Sequence, residues 1–194
     1  MVHQLRARPW RLLRLLLALP ALLGYPLGLT GRGGLKAAFA RVACGGLTRA
    51  QVAADVARYL ERVFAAELFP GALAAVAAHR AAGDYLVLLS ASPDLYVPAI
   101  GRRLGFDEVL CTQFGWRAER FTGELLTANR RGEEKLRCLT ALRAAHPGLA
   151  VSGYGNSPAD LAHLTRCESA TYVNPRGTDR PRLESLGLHT VDWA

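Results

Sequence analysis

The chain has 194 residues, 51% of them hydrophobic, which is enough to bury the core of one α/β domain with a modest insertion and too apolar for a disordered tail. Its net charge of +8, carried by arginine except at Lys36 and Lys135, suits a phosphorylated substrate, an anionic membrane surface or nucleic acid without choosing among them. Cys44, Cys111, Cys138 and Cys167 are scattered, with no Cys-x-x-Cys pair, which argues against a disulfide framework or zinc site and for buried thiols in a reducing cytoplasm.

In chain order, Arg6, Arg8, Arg11 and Arg14 lead into a leucine-rich run that ends at Leu22-Leu23. Arg14 and Pro20 interrupt the run and no clear small-x-small cleavage site follows, so it matches a secretory leader or a membrane span poorly. Two readings stand for residues 5–23: a basic apolar helix on a membrane surface, or a helix packed on its own domain or on a partner. Leu35, Phe39 and Val42 recur at helical spacing until Gly45-Gly46 breaks the pattern. Thr48 is the predicted N-cap of a second helix through Val52, Val56, Leu60 and Val63. Phe69-Pro70-Gly71 is a break, and a third helix is expected over 72–82.

The texture then changes. Tyr85 to Leu89 is a continuous apolar run between Gly83-Asp84 and Ser90-Ala91-Ser92-Pro93, as a buried parallel strand requires. A helix over 95–104, a short strand near 109–110 and a hairpin over 115–126, turning at 117–120, follow. A helix is expected over 133–145, a strand over 149–154, a helix over 157–165, a strand over 170–173 and a last helix over 181–186. Strands alternating with helices predict a mainly parallel sheet covered on both faces.

Ligands of such sheets bind beyond the carboxyl ends of the strands. Ser90-Ala91-Ser92, directly after the apolar strand, offers a hydroxyl and backbone amides as a phosphate cradle; the competing reading is a turn or an N-cap. Lys135, in Gly132-Glu133-Glu134-Lys135, sits in the first turn of a helix against the usual charge preference of that end. In Gly153-Tyr154-Gly155-Asn156-Ser157-Pro158-Ala159-Asp160, the glycines let backbone approach a ligand. Asn156 and Asp160 place two oxygen-bearing side chains four residues apart, as a hard cation such as magnesium requires; a capped helix start is the alternative.

Together, in this order, these segments resemble subfamily IB of the haloacid dehalogenase-like hydrolases, the group that contains phosphoserine phosphatases, over about residues 35–175. Glu119-Arg120-Phe121-Thr122-Gly123-Glu124-Leu125 is similar to the family's hairpin, Gly132-Glu133-Glu134-Lys135 to its Gly-Glu-Glu-Lys segment, Gly155-Asn156-Ser157-Pro158-Ala159-Asp160 to its Gly-Asp-Ser-x-x-Asp segment, and Val173-Asn174-Pro175 to a strand end. The resemblance implies a Rossmann-like three-layer α/β core over 72–194, a helical cap over 24–71 and a basic N-terminal helix over 1–23. It implies a magnesium-dependent phosphomonoesterase, with Ser90 and Lys135 as catalytic groups, Ser90, Ala91, Ser92 and Lys135 on the phosphate, and Asn156 and Asp160 on Mg2+. The expected substrate is a phosphorylated small molecule or a lipid phosphate, met in the cytoplasm or at the inner face of the membrane, and no nucleic-acid partner is expected.

Two departures stand out. Asn156 occupies the position of a charged metal ligand. Asp-x-Asp-x-Thr, the source of the family's nucleophile and general acid/base, occurs nowhere in the 194 residues. The family's first strand, which that motif ends, lies between the strand ending at Ser90 and the strand ending near Tyr154. The chain is therefore expected to be truncated or degenerate, to lack its central strand, and to bind phosphate without turning it over. The alternative class is a non-catalytic phosphate-binding or membrane-surface protein.

Overall fold

The computed structural model describes residues 15–193. The chain divides into two compact units, one drawn from residues 1–67, 91–103 and 111–129, the other from 68–90, 104–110 and 130–194.

In the first unit, α1 (Leu19–Gly24) carries Pro20 in its first turn, where an amide N–H would have no helical partner. Arg6, Arg8, Arg11 and Arg14, on which the basic face of the N-terminal helix was predicated, lie outside the described residues. Helix α2 (Arg32–Cys44) ends at Gly45, and α3 (Arg49–Ala66) opens with the predicted cap. Thr48 Oγ1 accepts from the Gln51 amide at 3.3 Å, and Gln51 Oε1 accepts from the Thr48 amide at 3.1 Å, a reciprocal capping box. The hairpin β3 (Phe114–Arg117) and β4 (Arg120–Leu125) turns where the sequence places it. Ala118 and Glu119 both take positive φ, 44° and 60°, the backbone of a tight primed turn. Gly123, at φ 77°, lets β4 approach α2: a Cβ there would meet the Arg41 backbone at 2.9 Å. Ala40, Ala43 and Cys44 of α2, Leu47, Val52 of α3, and Phe114 and Phe121 of the hairpin form the core of this unit.

In the second unit, α4 (Pro70–Ala81) precedes β1 (Val87–Pro93), whose residues up to Ser90 belong here and whose last three belong to the first unit. In the chain, β1 is followed by α5 (Val97–Leu104), which belongs to the first unit but for Leu104, and by β2 (Glu108–Thr112), whose last two residues also belong to the first unit. After α6 (Glu133–Ala145), β5 (Ser152–Gly155), β6 (Ser169–Val173) and β7 (His189–Val191) form a three-stranded parallel sheet, with Tyr154 opposite Thr171 and Tyr172 opposite Thr190. The short α7 (Leu161–Leu164) and α8 (Arg180–Ser185) pack on it through Leu164, Tyr172, Leu183 and Leu188.

The α/β class holds, but the four predicted strands do not join in one sheet. β1 pairs with β2, and β5 with β6 and β7, as separate sheets. This pairing corrects the expectation that the four strands share one sheet. It also corrects the expectation of a buried apolar strand, since no residue of β1 is fully buried: with β2 as its sheet neighbour, much of its apolar side is left half-covered. β7 was not anticipated as a strand.

Candidate functional site

Lys135 enters the second unit from the first turn of α6. Gly132 precedes that helix at φ 59° and ψ −127°, a conformation that glycine adopts without a Cβ penalty, and the Lys135 amide closes the turn on the Gly132 carbonyl at 2.9 Å. Glu134, beside it, faces Arg130 at 2.7 Å and Arg137 at 3.2 Å, so the acidic half of the motif is neutralised by arginine. Lys135 Nζ donates to Asp160 Oδ1 at 2.6 Å, and the two side chains are only 13% and 7% exposed.

Asp160 is the organising group. Its Oδ2 accepts from the Asn156 amide at 3.2 Å, the Ser157 amide at 3.0 Å and the Ser157 hydroxyl at 2.9 Å. The carboxylate thus holds the loop after β5 in shape, much as a capping group holds a helix start. Burial pushes the Asp160 pKa up, but the hydrogen bond and charge of Lys135, with Ser157 and Asn156, outweigh it and hold the group below its ordinary value. The capped-start reading of this segment is therefore realised in Asp160.

The glycines serve a different purpose from the one expected of them. A Cβ on Gly155 would sit 2.7 Å from Asp160 Cβ and 3.0 Å from Leu164, and one on Gly153 would sit 2.7 Å from Cys167 Sγ. They admit the protein's own α7 and its flanks. His163 was missed by sequence reasoning. It is buried, its Nδ1 finds no hydrogen-bond partner among the described residues, and burial and then Lys135 press its pKa down to about 4, against the opposing pull of Asp160. The signal was available: three residues after Asp160 is one helical turn, the same face.

Lys135, Asn156 and Asp160 come together. Ser90 lies in the same unit at β1, while Ala91 and Ser92 belong to the first unit. For a magnesium ion, the donor set is hard oxygen throughout, which fits a cation that keeps several of its waters. Asn156 is exposed at the loop and has a carbonyl to offer, whereas Asp160 already accepts four hydrogen bonds. Asp160 therefore suits orienting a metal's water better than direct ligation. Among the described residues, no group of three or more His, Cys, Asp and Glu side chains could hold a metal.

Comparison with known proteins identifies the family and the fold. The sequence pattern of the haloacid dehalogenase-like hydrolases matches residues 1–165. Protein CicA of Caulobacter vibrioides is 33% identical over 159 residues, covering 81% of this chain and 71% of that protein. "Probable phosphatase Rv3661" of Mycobacterium tuberculosis is 31% identical over 134 residues, 68% of this chain and 46% of that one. The unliganded crystal structure of a "probable phosphoserine phosphatase" from Vibrio cholerae superposes with a TM-score of 0.71 at 13% identity, covering 92% of this chain and 52% of that one, a likeness that establishes the fold. With its fold, its motif order and the match over residues 1–165 in agreement, the chain belongs to the haloacid dehalogenase-like hydrolases and resembles the phosphatases among them.

Proposed function

We propose that the chain carries the phosphate- and magnesium-handling half of a phosphomonoesterase site. The observation that carries this reading is the buried Lys135–Asp160 pair at the carboxyl end of β5, locked to Asn156 and Ser157. Lys135 offsets the charge of a bound phosphate, the Ser90 hydroxyl donates to its oxygens, and Asn156 and Asp160 hold and orient Mg2+. Magnesium, when bound, draws charge from the phosphoryl oxygens. With a neutral Asn156, that ion is held less tightly than by a carboxylate.

The substrate is a phosphorylated small molecule or a lipid phosphate. A lipid is favoured by the segment after residue 15, where Leu16, Leu17, Leu23, Leu27 and Leu29 are each 64–81% exposed, an apolar surface that water disfavours. That segment supports contact with the inner face of a membrane; no helix among the described residues is long and apolar enough to cross one. Cosedimentation with phosphatidylglycerol vesicles, weakened by Leu17→Glu and Leu23→Glu, tests it.

An aspartyl-phosphate intermediate requires the motif that these 194 residues lack. The chain alone is expected to show little magnesium-dependent hydrolysis of p-nitrophenyl phosphate. A chimera carrying an Asp-x-Asp-x-Thr strand ahead of residue 1 is expected to gain it and to lose it again with Lys135→Ala. Robust turnover by the 194-residue chain, abolished by Lys135→Ala, would mean that its nucleophile lies elsewhere in the sequence.

A further inference from the structure

Outside the candidate site, Asp84, His79 and Tyr154 form a line of hydrogen bonds, all within the second compact unit. His79, in the last turn of α4, meets Asp84 Oδ2 through Nδ1 at 2.6 Å and the Tyr154 hydroxyl through Nε2 at 2.8 Å. A carboxylate only accepts, so in the neutral ring Nδ1 carries the hydrogen and Nε2 turns its lone pair to the phenol. Among the described residues, Asp84 and Tyr154 are the titratable side chains hydrogen-bonded to His79.

Tyr154 is held in place for this contact. Gly153 and Gly155, its neighbours on β5, face α7 and its flanks, so strand alternation turns Tyr154 to the other side of the sheet, where it meets α4 through His79. The His79 ring lies edge-on to it with centroids 5.5 Å apart, and Trp193 stacks on it at 5.6 Å. Trp193 is itself seated. Its amide donates to Asn174 Oδ1 at 2.6 Å, and a Cβ on Gly71 of α4 would sit 2.3 Å from the indole. With both rings against it, Tyr154 remains 41% exposed. A phenol is a weak nucleophile until a base takes its proton, and covalent catalysis places nucleophile, base and orienting group in this order.

We propose that Tyr154 is a nucleophile that accepts an acyl group from an activated carboxylic ester, with His79 as its general base and Asp84 as a positioning residue. The Tyr154 oxygen bonds to the acyl carbon while its proton passes to His79 Nε2. The bond from that carbon to the leaving oxygen breaks, the electron pair stays on the leaving alcohol, and His79 returns the proton there. Acyl-Tyr154 and the free alcohol are the products. An acyl group suits this oxygen better than a phosphoryl group, which would bring up to about two negative charges to the same histidine that Asp84 already faces. The step uses neither Lys135 nor bound phosphate, so it stands apart from the phosphatase reading.

The test is addition of p-nitrophenyl acetate to the full 194-residue chain, with labelled tyrosines located by peptide mass spectrometry. Tyr25, comparably exposed at 38% and hydrogen-bonded to no histidine among the described residues, is the internal control. Tyr154 is expected to be acetylated at least about ten-fold faster than Tyr25. His79→Ala is expected to remove that advantage and added imidazole to restore it at Tyr154 alone. Asp84→Asn is expected to slow the labelling and Asp84→Glu to recover part of it. Tyr154→Phe, which keeps the stack on Trp193, is expected to remove the matching share of p-nitrophenolate release. Asp84 is exposed, so Asp84→Asn provides the reading if His79→Ala does not fold. Equal labelling of Tyr154 and Tyr25 would overturn the proposal. So would unchanged Tyr154 labelling in His79→Ala, or in Asp84→Asn should the former not fold, leaving the three side chains as a fastening of α4 to β5.

Discussion

At the scale of single residues, Asp160 and His163 give the site opposite responses to the same burial. Asp160 is ionised and held by four donors, so removing Lys135 leaves a carboxylate that is nearly buried and short of its only cationic partner at that contact. Breaking one side of such a pair costs about 3 kcal/mol or more. Lys135→Met is expected to lower stability by that order in urea unfolding at pH 7, and Asp160→Asn to cost less because the loop amides keep an acceptor. The pH dependence has a defined sign. Between its ordinary value of 6.5 and its folded value of about 4, His163 binds a proton in the unfolded chain and not in the folded one, so stability falls as pH is lowered through that window. Asp160, held below its ordinary value, adds a contribution that is full above about pH 4 and fades as pH falls through its folded pKa. His163→Leu is expected to remove roughly 2 kcal/mol of the loss between pH 6.5 and 4, after a discount for solvent screening, and to leave the Asp160 component below pH 4. Equal pH slopes in the two proteins would exclude His163 as the source.

At the scale of elements, the most legible parts were those in which a local rule fixes the geometry. Thr48 with Gln51 three residues on announces the start of α3, and the structure builds both bonds of that box. Helix α6 occupies the predicted 133–145 because Gly132 and His146-Pro147-Gly148 punctuate it at both ends. β7 was not legible: three residues are too few for a period, and they become a strand because β6 supplies a ladder. The β5–α7 junction shows a second limit. Gly155 reads as a ligand-approach glycine, but what approaches is Asp160 from within the same loop. Gly155→Ala would overpack it at a cost of about 1–3 kcal/mol and displace Asp160. It is expected to lower the melting temperature and weaken phosphate binding together, whereas Thr48→Ala, about 1 kcal/mol by loss of a cap, should lower the melting temperature alone.

At the scale of the whole molecule, β1 and β5 belong to different sheets among the described residues. β1 is hydrogen-bonded to β2 and β5 to β6, and no ladder joins β1 to β5 among the described residues. The leucines exposed between residues 16 and 29 form an apolar surface that favours association with other surfaces. The purified chain is expected to associate as its concentration rises, in size-exclusion chromatography, and Leu17→Glu with Leu23→Glu to reduce that association. A monomer at all concentrations tested would exclude association through that surface.

The sequence by itself determined the α/β class, the capped start of α3, the span of α6 and the hairpin turn, because capping, turn chemistry and hydrophobic period act over a few neighbouring residues. It also determined that Asp-x-Asp-x-Thr is absent from these 194 residues. Only the tertiary structure decided which strands share a sheet, that Asp160 is committed to Lys135 and to its own loop, that His163 is buried beside them, and that His79 reaches Tyr154 across 75 residues of chain. Those outcomes depend on which distant surfaces meet and on how much water is left between them, and nothing in the local sequence encodes that.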